Sequence, residues 1–172
     1  RRNLELLETM RNKEKRGSLL WDLDKTHTAM GKRLIRNWIE QPLLSVARIS
    51  RRLNAVEELS QDALLRDCIS EQLSGIHDLE RLMSRIVYGS ANGRELRSLS
   101  SAISKLPKLK SILKDVKANL LTEIYNNIDV LDDVYNLINS AIVEEPPFSV
   151  REGGIIQSNY NDELDLLKGD MS

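Results

Sequence analysis

The helical spacing of apolar residues from Thr28 onward is the feature that most constrains the fold of this chain. Met30, Leu34 and Trp38 lie four residues apart, on one face of a helix that Pro42 ends. The same spacing recurs after Ser45, after Asp62, from Leu79 to Gly89, after Asn92, after Pro107 and, over a longer stretch, from Ile124 to Ile142. We therefore predict an all-α, multihelical fold of six to seven helices.

Two short segments depart from the helical spacing. Residues 3–6 alternate polar and apolar side chains, which indicates a short strand or an extended entry segment. In residues 148–156, Gly153 and Gly154 separate two apolar pairs, which predicts an extended segment with a turn. Asp62 is expected to cap one helix, and Asn92 with Glu95 to form a capping box at another.

The aliphatic composition fits packed helices. Aromatic residues make up only 4% of the 172 residues, so the core must consist mainly of Leu, Ile and Val. A chain of this length is able to bury a real core, and a 41% hydrophobic content is typical of a globular protein. The residues that we expect to form the structural core are Leu34, Ile35, Trp38, Leu79 and Leu82.

Charge and cysteine content exclude several classes of protein. A net charge of -1 gives no overall attraction to nucleic acid or to an anionic membrane. No apolar run is long enough to span a bilayer, and no signal-peptide pattern opens the chain, so we expect no membrane partner. Cys68, the one cysteine, is expected to be a buried and inert thiol, which suits a cytoplasmic setting.

The residues of a catalytic or cofactor site are not found. No P-loop, dinucleotide fingerprint or His-Glu-x-x-His motif occurs, and His27 and His77 are too far apart to suggest a local metal site. No pair of carboxylates has the spacing of a general acid and base. We therefore predict no catalytic, cofactor-binding or metal-ligating residue in this chain, and no small-molecule substrate.

Two basic clusters are weak candidates for contact with nucleic acid. Their residues are Arg48, Arg51, Arg52, Lys110 and Lys114. Guanidinium and ammonium groups could meet phosphates there, but no aromatic residues are interleaved with them for base stacking. Ordinary solvated helix faces explain the same clusters.

Both ends of the sequence suggest a part of a longer polypeptide. The chain opens at Arg1 without an initiator methionine, and it stops at Ser172 soon after a helix begins near Asn161. We expect the function to belong to a segment of a larger protein.

An ordered set of motifs carries a family likeness. The motifs are GSLLWDLDKTHTAMG at residues 17–31, WIEQPL at 38–43, DLER at 78–81, ANGREL at 91–96, REGGII at 151–156 and YNDELD at 160–165. Together they resemble the core, or lever, domain (domain III) of bacterial MutS DNA mismatch-repair proteins, over essentially the whole chain. Gly93 stands where that family often has proline, and Asn159 where glycine is usual.

The resemblance implies a domain plan and a function. Residues 1–158 would be the helical core segment, and residues 159–172 the start of a lever helix leading toward a DNA-gripping clamp. The parent would dimerise, bind mispaired or looped duplex DNA and use ATP with Mg²⁺. Its mismatch-probing wedge and its ATPase site would both lie outside this segment. The segment itself would be a non-catalytic scaffold whose partners are other domains of the same chain.

Two alternatives stay open. The chain could be a free-standing helical protein-interaction module, or the core of a MutS-like paralogue that acts on other DNA structures. Arg33, Arg36 and the run Asp24–Thr26 could contact neighbouring domains of a parent protein, or they could be plain surface and capping residues.

Overall fold

The computed structural model describes residues 5–170, with side chains up to Lys168, and the fold of this part of the chain is all-α. Helices α1 to α10 span, in chain order, Leu19–Leu23, Ala29–Glu40, Val46–Gln61, Ala63–Leu73, Leu79–Val87, Gly93–Ile103, Leu106–Ile112, Asn119–Asn127, Asp132–Ala141 and Asp162–Asp170. A 3₁₀ helix covers Val150–Glu152. Over residues 5–170, no helix has both the length and the apolar character that a membrane crossing needs. The predicted all-α class is confirmed, but the described residues form ten α-helices rather than the six or seven predicted.

Side-chain caps fix where several helices begin. The side-chain oxygens of Ser18, Thr28, Asp62 and Asn92 each accept the backbone N–H of the residue three positions later, at 2.9–3.3 Å. The carboxylate of Glu95 completes the capping box by accepting the backbone N–H of Asn92 at 2.9 Å. Each bond satisfies a donor that the first helical turn leaves unpaired. The caps predicted at Asp62 and Asn92 are confirmed.

The long helix predicted over residues 124–142 is wrong. α8 ends at Asn127 and α9 begins at Asp132, and Leu131 between them has a φ of +54°. The Asp129 carboxylate accepts the Leu131 N–H at 3.0 Å, a local bond that competes with the helical one. Lys110 Nζ also donates to the Ile128 carbonyl at 2.7 Å. The helical spacing of apolar residues continues across this break. The spacing alone therefore predicts one continuous helix.

The first predicted extended segment, residues 3–6, does not form a strand in the part that the structure describes. Asn3 and Leu4 lie outside the described residues. Glu5 and Leu6 lie in a turn, and their carbonyls accept the N–H groups of Leu19 and Leu20 at 3.1 and 2.9 Å. These bonds hold the entry of the chain against the start of α1.

The second predicted extended segment forms as a bridge with a turn. Gly153 and Gly154 have φ values of +73° and +68°, which reverse the chain after the 3₁₀ helix. Ile156 then pairs with Ile142 in an isolated antiparallel bridge. Next to that bridge, the Val143 N–H donates to the Ile155 carbonyl at 2.9 Å.

The described chain divides into two compact units. The first unit comprises the described residues up to Asp78 together with Lys108–Ile128. Within it, α1 packs on α2, and α3 packs on both α4 and α8. Ala55, Leu113 and Leu121 are buried there.

The second unit comprises Leu79–Pro107 and the described residues from Asp129 onward. In this unit α6 packs on α9 and on α5. Its core cluster is Ile138, Ala141 and Ile142, and partly buried hydrophobic residues surround it: Leu96, Leu99, Val134, Ile155 and Ile156. This aliphatic core agrees with the low aromatic content.

The five predicted core residues differ in burial. Leu82 is buried, whereas Ile35 and Leu79 are half-buried. Leu34 is 50% exposed and Trp38 is 38% exposed, so the prediction that these two lie in the core is wrong for this chain. The spacing identified one apolar face of α2, but the described residues of this chain cover only part of that face.

Candidate functional site

Two of the predicted nucleic-acid residues are engaged inside the first unit. Arg51, on α3, forms an ion pair with Glu123 of α8. The guanidinium of Arg52 lies 3.6 Å from the centroid of the Trp38 ring, a cation–π contact. Both side chains therefore hold elements of the unit together.

Lys110 is also engaged, because its ammonium group bonds to the Ile128 carbonyl and lies 5.7 Å from the Tyr125 ring centroid. Arg48 and Lys114 are exposed. Three of the five candidates thus have partners within the unit. Their role in binding nucleic acid stays a prediction.

A larger concentration of positive charge lies around α1 and α2. Ser18 builds its first part: the hydroxyl is buried, donates to the Lys15 carbonyl at 2.7 Å and accepts the Trp21 N–H at 3.3 Å. The charged loop before α1 is thereby tied to the helix, so Lys15 and Trp21 are held near each other.

The turn between α1 and α2 is organised by Asp24. Thr26 donates to its carboxylate twice, from the hydroxyl at 2.6 Å and from the backbone N–H at 3.2 Å. Lys32 Nζ lies 3.6 Å from the same carboxylate. The hydroxyl bond of Thr26 lowers the pKa of Asp24 below its ordinary value of 3.8, and the backbone bond and the Lys32 charge act in the same direction. Partial burial opposes these effects without overcoming them.

Two arginines on α2 also pair with carboxylates. Arg33 donates from both terminal nitrogens to the two carboxylate oxygens of Asp78, each at 2.7 Å. Arg36 Nε donates to Glu40 one helical turn later at 3.0 Å. The two-pronged geometry of the Arg33 pair is the stronger and more directional of the two.

These elements enclose a cleft of about 600 Å³, which we call the cationic cleft. Its cations are Lys15, Lys25, Lys32, Arg33 and Arg36. Among the described residues that line it, Asp24 is the one carboxylate, and its apolar wall includes Leu7, Leu20 and Trp21. A second cavity of about 330 Å³ adjoins it and shares Lys15 and Arg36.

The sequence pointed to only part of this cleft. Arg33, Arg36 and the run Asp24–Thr26 had been singled out as possible contacts, and all but Thr26 line the cleft. Lys15 was missed because it stands in a charged run that predicts a solvated loop, and Lys32 because it is one lysine on a polar helix face. The net charge summed over residues 13–36, rather than over the whole chain, would have indicated this cluster of cations.

The described residues contain no cluster of metal-ligating side chains. No group of three or more His, Cys, Asp or Glu among them could hold a metal ion, and His27 and His77 are exposed. The sequence contains no P-loop to cradle phosphates. Cys68 is half-buried rather than buried as expected. What the cleft offers chemically is recognition of anionic groups by fixed lysine and arginine side chains.

Comparison with known proteins gives a consistent result. Residues 1–169 match the family model described as MutS domain III. The chain is 53% identical to the DNA mismatch repair protein MutS of Alkaliphilus oremlandii over 97% of its own length and 19% of that protein. It is 49% identical to the MutS of Acetivibrio thermocellus over 98% of the chain and 19% of that protein. For Lachnoclostridium phytofermentans MutS the identity is 50%, over 98% of the chain and 18% of that protein. The chain therefore spans about a fifth of the length of these relatives.

Proposed function

Because this chain belongs to the MutS domain III family, we propose that it is a structural lever segment of a MutS-type DNA mismatch-repair protein. In this role it links the ATPase and connector regions to the clamp that grips DNA. The parent protein binds mismatched duplex DNA as a dimer, and its ATP and Mg²⁺ are held outside this segment. The names of the relatives support mismatch repair over a paralogue role or a free-standing interaction module. α10, Asp162–Asp170, supports a lever helix that starts after residue 158.

The observation that carries the lever proposal is a set of side-chain bonds between helices far apart in sequence. In the second unit, Arg97 of α6 donates from Nε to the Val143 carbonyl at 2.8 Å, and it also bonds to Asn139 of α9. The side-chain amide oxygen Oδ1 of Asn139 accepts the Ser100 hydroxyl at 3.1 Å, and Ser100 is buried. α6 and α9 are therefore joined by polar bonds as well as by apolar packing.

The first unit is joined in the same way. The Glu58 carboxylate, on α3, accepts the backbone N–H groups of Lys117 and Ala118 at 2.8 and 2.6 Å, at the start of α8. Arg51 of α3 pairs with Glu123 one helical turn into α8. Each of these two helices is held at two points along its length, which opposes sliding and rotation.

Helices packed and bonded in this way form a stiff body. A close-packed interior has low compressibility and transmits strain instead of absorbing it. A displacement applied at one end of such a unit is then carried through it with little loss. This property suits a segment that relays a change at a nucleotide site to a DNA clamp.

The test is a mild softening of the core in the polypeptide that contains this chain. Ile138→Val removes one buried methyl group at a cost of about 0.5–1.5 kcal/mol, which should leave the protein folded. Leu137→Ala, at an exposed position of the same helix, is the matched control. We expect Ile138→Val to slow ATP-triggered release from a mismatched duplex several-fold, measured by stopped-flow fluorescence anisotropy. A folded Ile138→Val protein with a normal release rate would contradict the lever role.

A further inference from the structure

We propose that the cationic cleft is a docking site for an acidic segment, in which carboxylates flank an apolar side chain. The segment belongs to another region of the polypeptide that contains this chain. This inference rests on the proposed function, because it requires that the chain work inside a longer protein. It names a partner chemistry and a surface that the lever role alone does not assign.

The charge of the cleft is the first observation. Of the residues that the structure describes, five cations and one carboxylate line it, whereas the whole chain carries a net charge of -1. Three of the cations, Lys32, Arg33 and Arg36, pair with carboxylates of the same unit. Lys15 and Lys25 form no ion pair with the described residues. Positive charges held around one space repel each other, so bringing a carboxylate between them is favourable.

The mode of pairing already seen at the cleft is the second observation. The anions that its lysine and arginines bind are side-chain carboxylates, from Asp24, Asp78 and Glu40. Arg33 binds its partner through two parallel bonds, and the planar carboxylate matches that fork. Lys15 and Lys25 can bind an incoming aspartate or glutamate as Lys32 binds Asp24, by an ammonium–carboxylate contact.

The apolar wall is the third observation, and it decides between a peptide and a nucleic acid. Trp21 is 51% exposed, and the half-buried Leu7 and Leu20 also line the cleft. An apolar side chain of a docking peptide would cover this wall, and removing that apolar surface from water is favourable. A duplex presents phosphates and sugars at its surface, and these leave an apolar wall uncovered. The combination of cations with a tryptophan and leucines therefore fits an acidic peptide segment.

The experiment uses the full polypeptide and two reactions that modify lysine side chains, both read by mass spectrometry. Acetylation measures how accessible each lysine is, with the exposed Lys108 and Lys114 as matched controls outside the cleft. A zero-length carbodiimide joins a lysine only to a carboxylate that it touches. The Lys32–Asp24 pair, 3.6 Å apart, is the internal positive control for that reaction.

We expect Lys15 and Lys25 to be acetylated at least tenfold more slowly than the two control lysines. We also expect them to be cross-linked to aspartate or glutamate outside residues 1–172. Lys25→Gln should abolish its own cross-link and speed the acetylation of Lys15, while Lys114→Gln should change neither. Equal acetylation of cleft and control lysines would overturn the proposal. So would cross-links confined to this chain, or protection that appears only when duplex DNA is added.

The same experiment separates this inference from the lever role. If the cross-links form while Ile138→Val leaves ATP-triggered release unchanged, the docking site stands and the lever role fails. If release slows in Ile138→Val but no cross-link leaves residues 1–172, the lever role stands and the docking site fails.

Discussion

Gly93 is the position at which the structure makes its sharpest quantitative prediction. The residue is buried at the first position of α6, directly after its cap Asn92. A Cβ atom placed there would lie 2.8 Å from Pro146 Cβ and 3.0 Å from Ile155 Cγ2. Ordinary contacts between carbon atoms are about 3.5–4.0 Å, so Gly93→Ala forces its neighbours to move. Pro146 is buried and its ring is rigid, which leaves little room for that movement.

The expected size of the effect follows from two opposing contributions. Overpacking of this kind costs about 1–3 kcal/mol. Alanine gains up to about 1 kcal/mol over glycine in a helix interior, but less at the first helical position. We therefore expect Gly93→Ala to lower the free energy of unfolding by about 1–2 kcal/mol. Proline often stands at this position in the family that the sequence resembles. Because proline also carries a Cβ, Gly93→Pro would bring the same close contact with Pro146 and Ile155.

Urea unfolding followed by far-UV circular dichroism measures this change. Ser101→Ala, at an exposed position of the same helix, is the control for helix propensity and should be neutral or slightly stabilising. Pro146→Gly removes the nearest atom, so Gly93→Ala should cost less in that background than in the native one. If Gly93→Ala is as stable as the native chain while Ser101→Ala behaves as expected, the close packing of α6 on Pro146 is refuted.

Three further changes test other contacts by urea unfolding. Asn139→Leu leaves the buried Ser100 hydroxyl and the Arg97 guanidinium without their shared acceptor and should cost about 1–3 kcal/mol; an unchanged free energy of unfolding would contradict a stabilising role for these bonds. Glu58→Gln removes the charge and one of two acceptors at the start of α8 and should cost about 1 kcal/mol, whereas Glu57→Gln on the exposed side of α3 should cost little. Asp24→Asn should destabilise the chain at pH 7. Because the folded-state pKa of Asp24 is lowered, its carboxylate stabilises the fold above pH 3.8, and this contribution disappears as the pH falls through the lowered value. A difference between native and Asp24→Asn chains that does not shrink as the pH falls through the lowered pKa would contradict this account.

The local features of this fold could be predicted from the sequence because they depend on neighbouring residues. The caps at Asp62 and Asn92 act within three residues, and the positive φ of Asn159 follows from a side chain that tolerates it. The break between α8 and α9 was missed although it too is local. Apolar residues continue in register across the break, so the spacing predicts one uninterrupted helix. The bond from the Leu131 N–H to the Asp129 carboxylate indicates the break more strongly than the spacing indicates a continuous helix.

The contacts between helices could not be predicted in this way. Glu58 and the start of α8 are about sixty residues apart, and Arg97 and Asn139 are separated by 42. Nothing in the local sequence distinguishes these polar residues from others on the same helices. The cationic cleft was missed for the same reason, since Lys15 lines it together with Lys32, Arg33 and Arg36 of α2, which lie 17 to 21 residues later in the chain.

α3 shows what periodicity does predict. Its apolar stripe, Val46, Ile49, Leu53 and Val56, is exposed, while the opposite face supplies Arg51, Ala55 and Glu58 to the contacts within the unit. A hydrophobic stripe predicts which face of a helix gains free energy when it is covered, at about 25 cal/mol per Å². It does not predict the partner that covers it. On α3 a small residue and two charged ones make the packing within the unit, because Ala55 lets α3 approach its neighbours closely and the charges then bind across the contact. Leu34 and Trp38 on α2 follow the same rule, so apolar spacing is evidence of a helix and of its favoured face, whereas assignment to the core needs the coordinates.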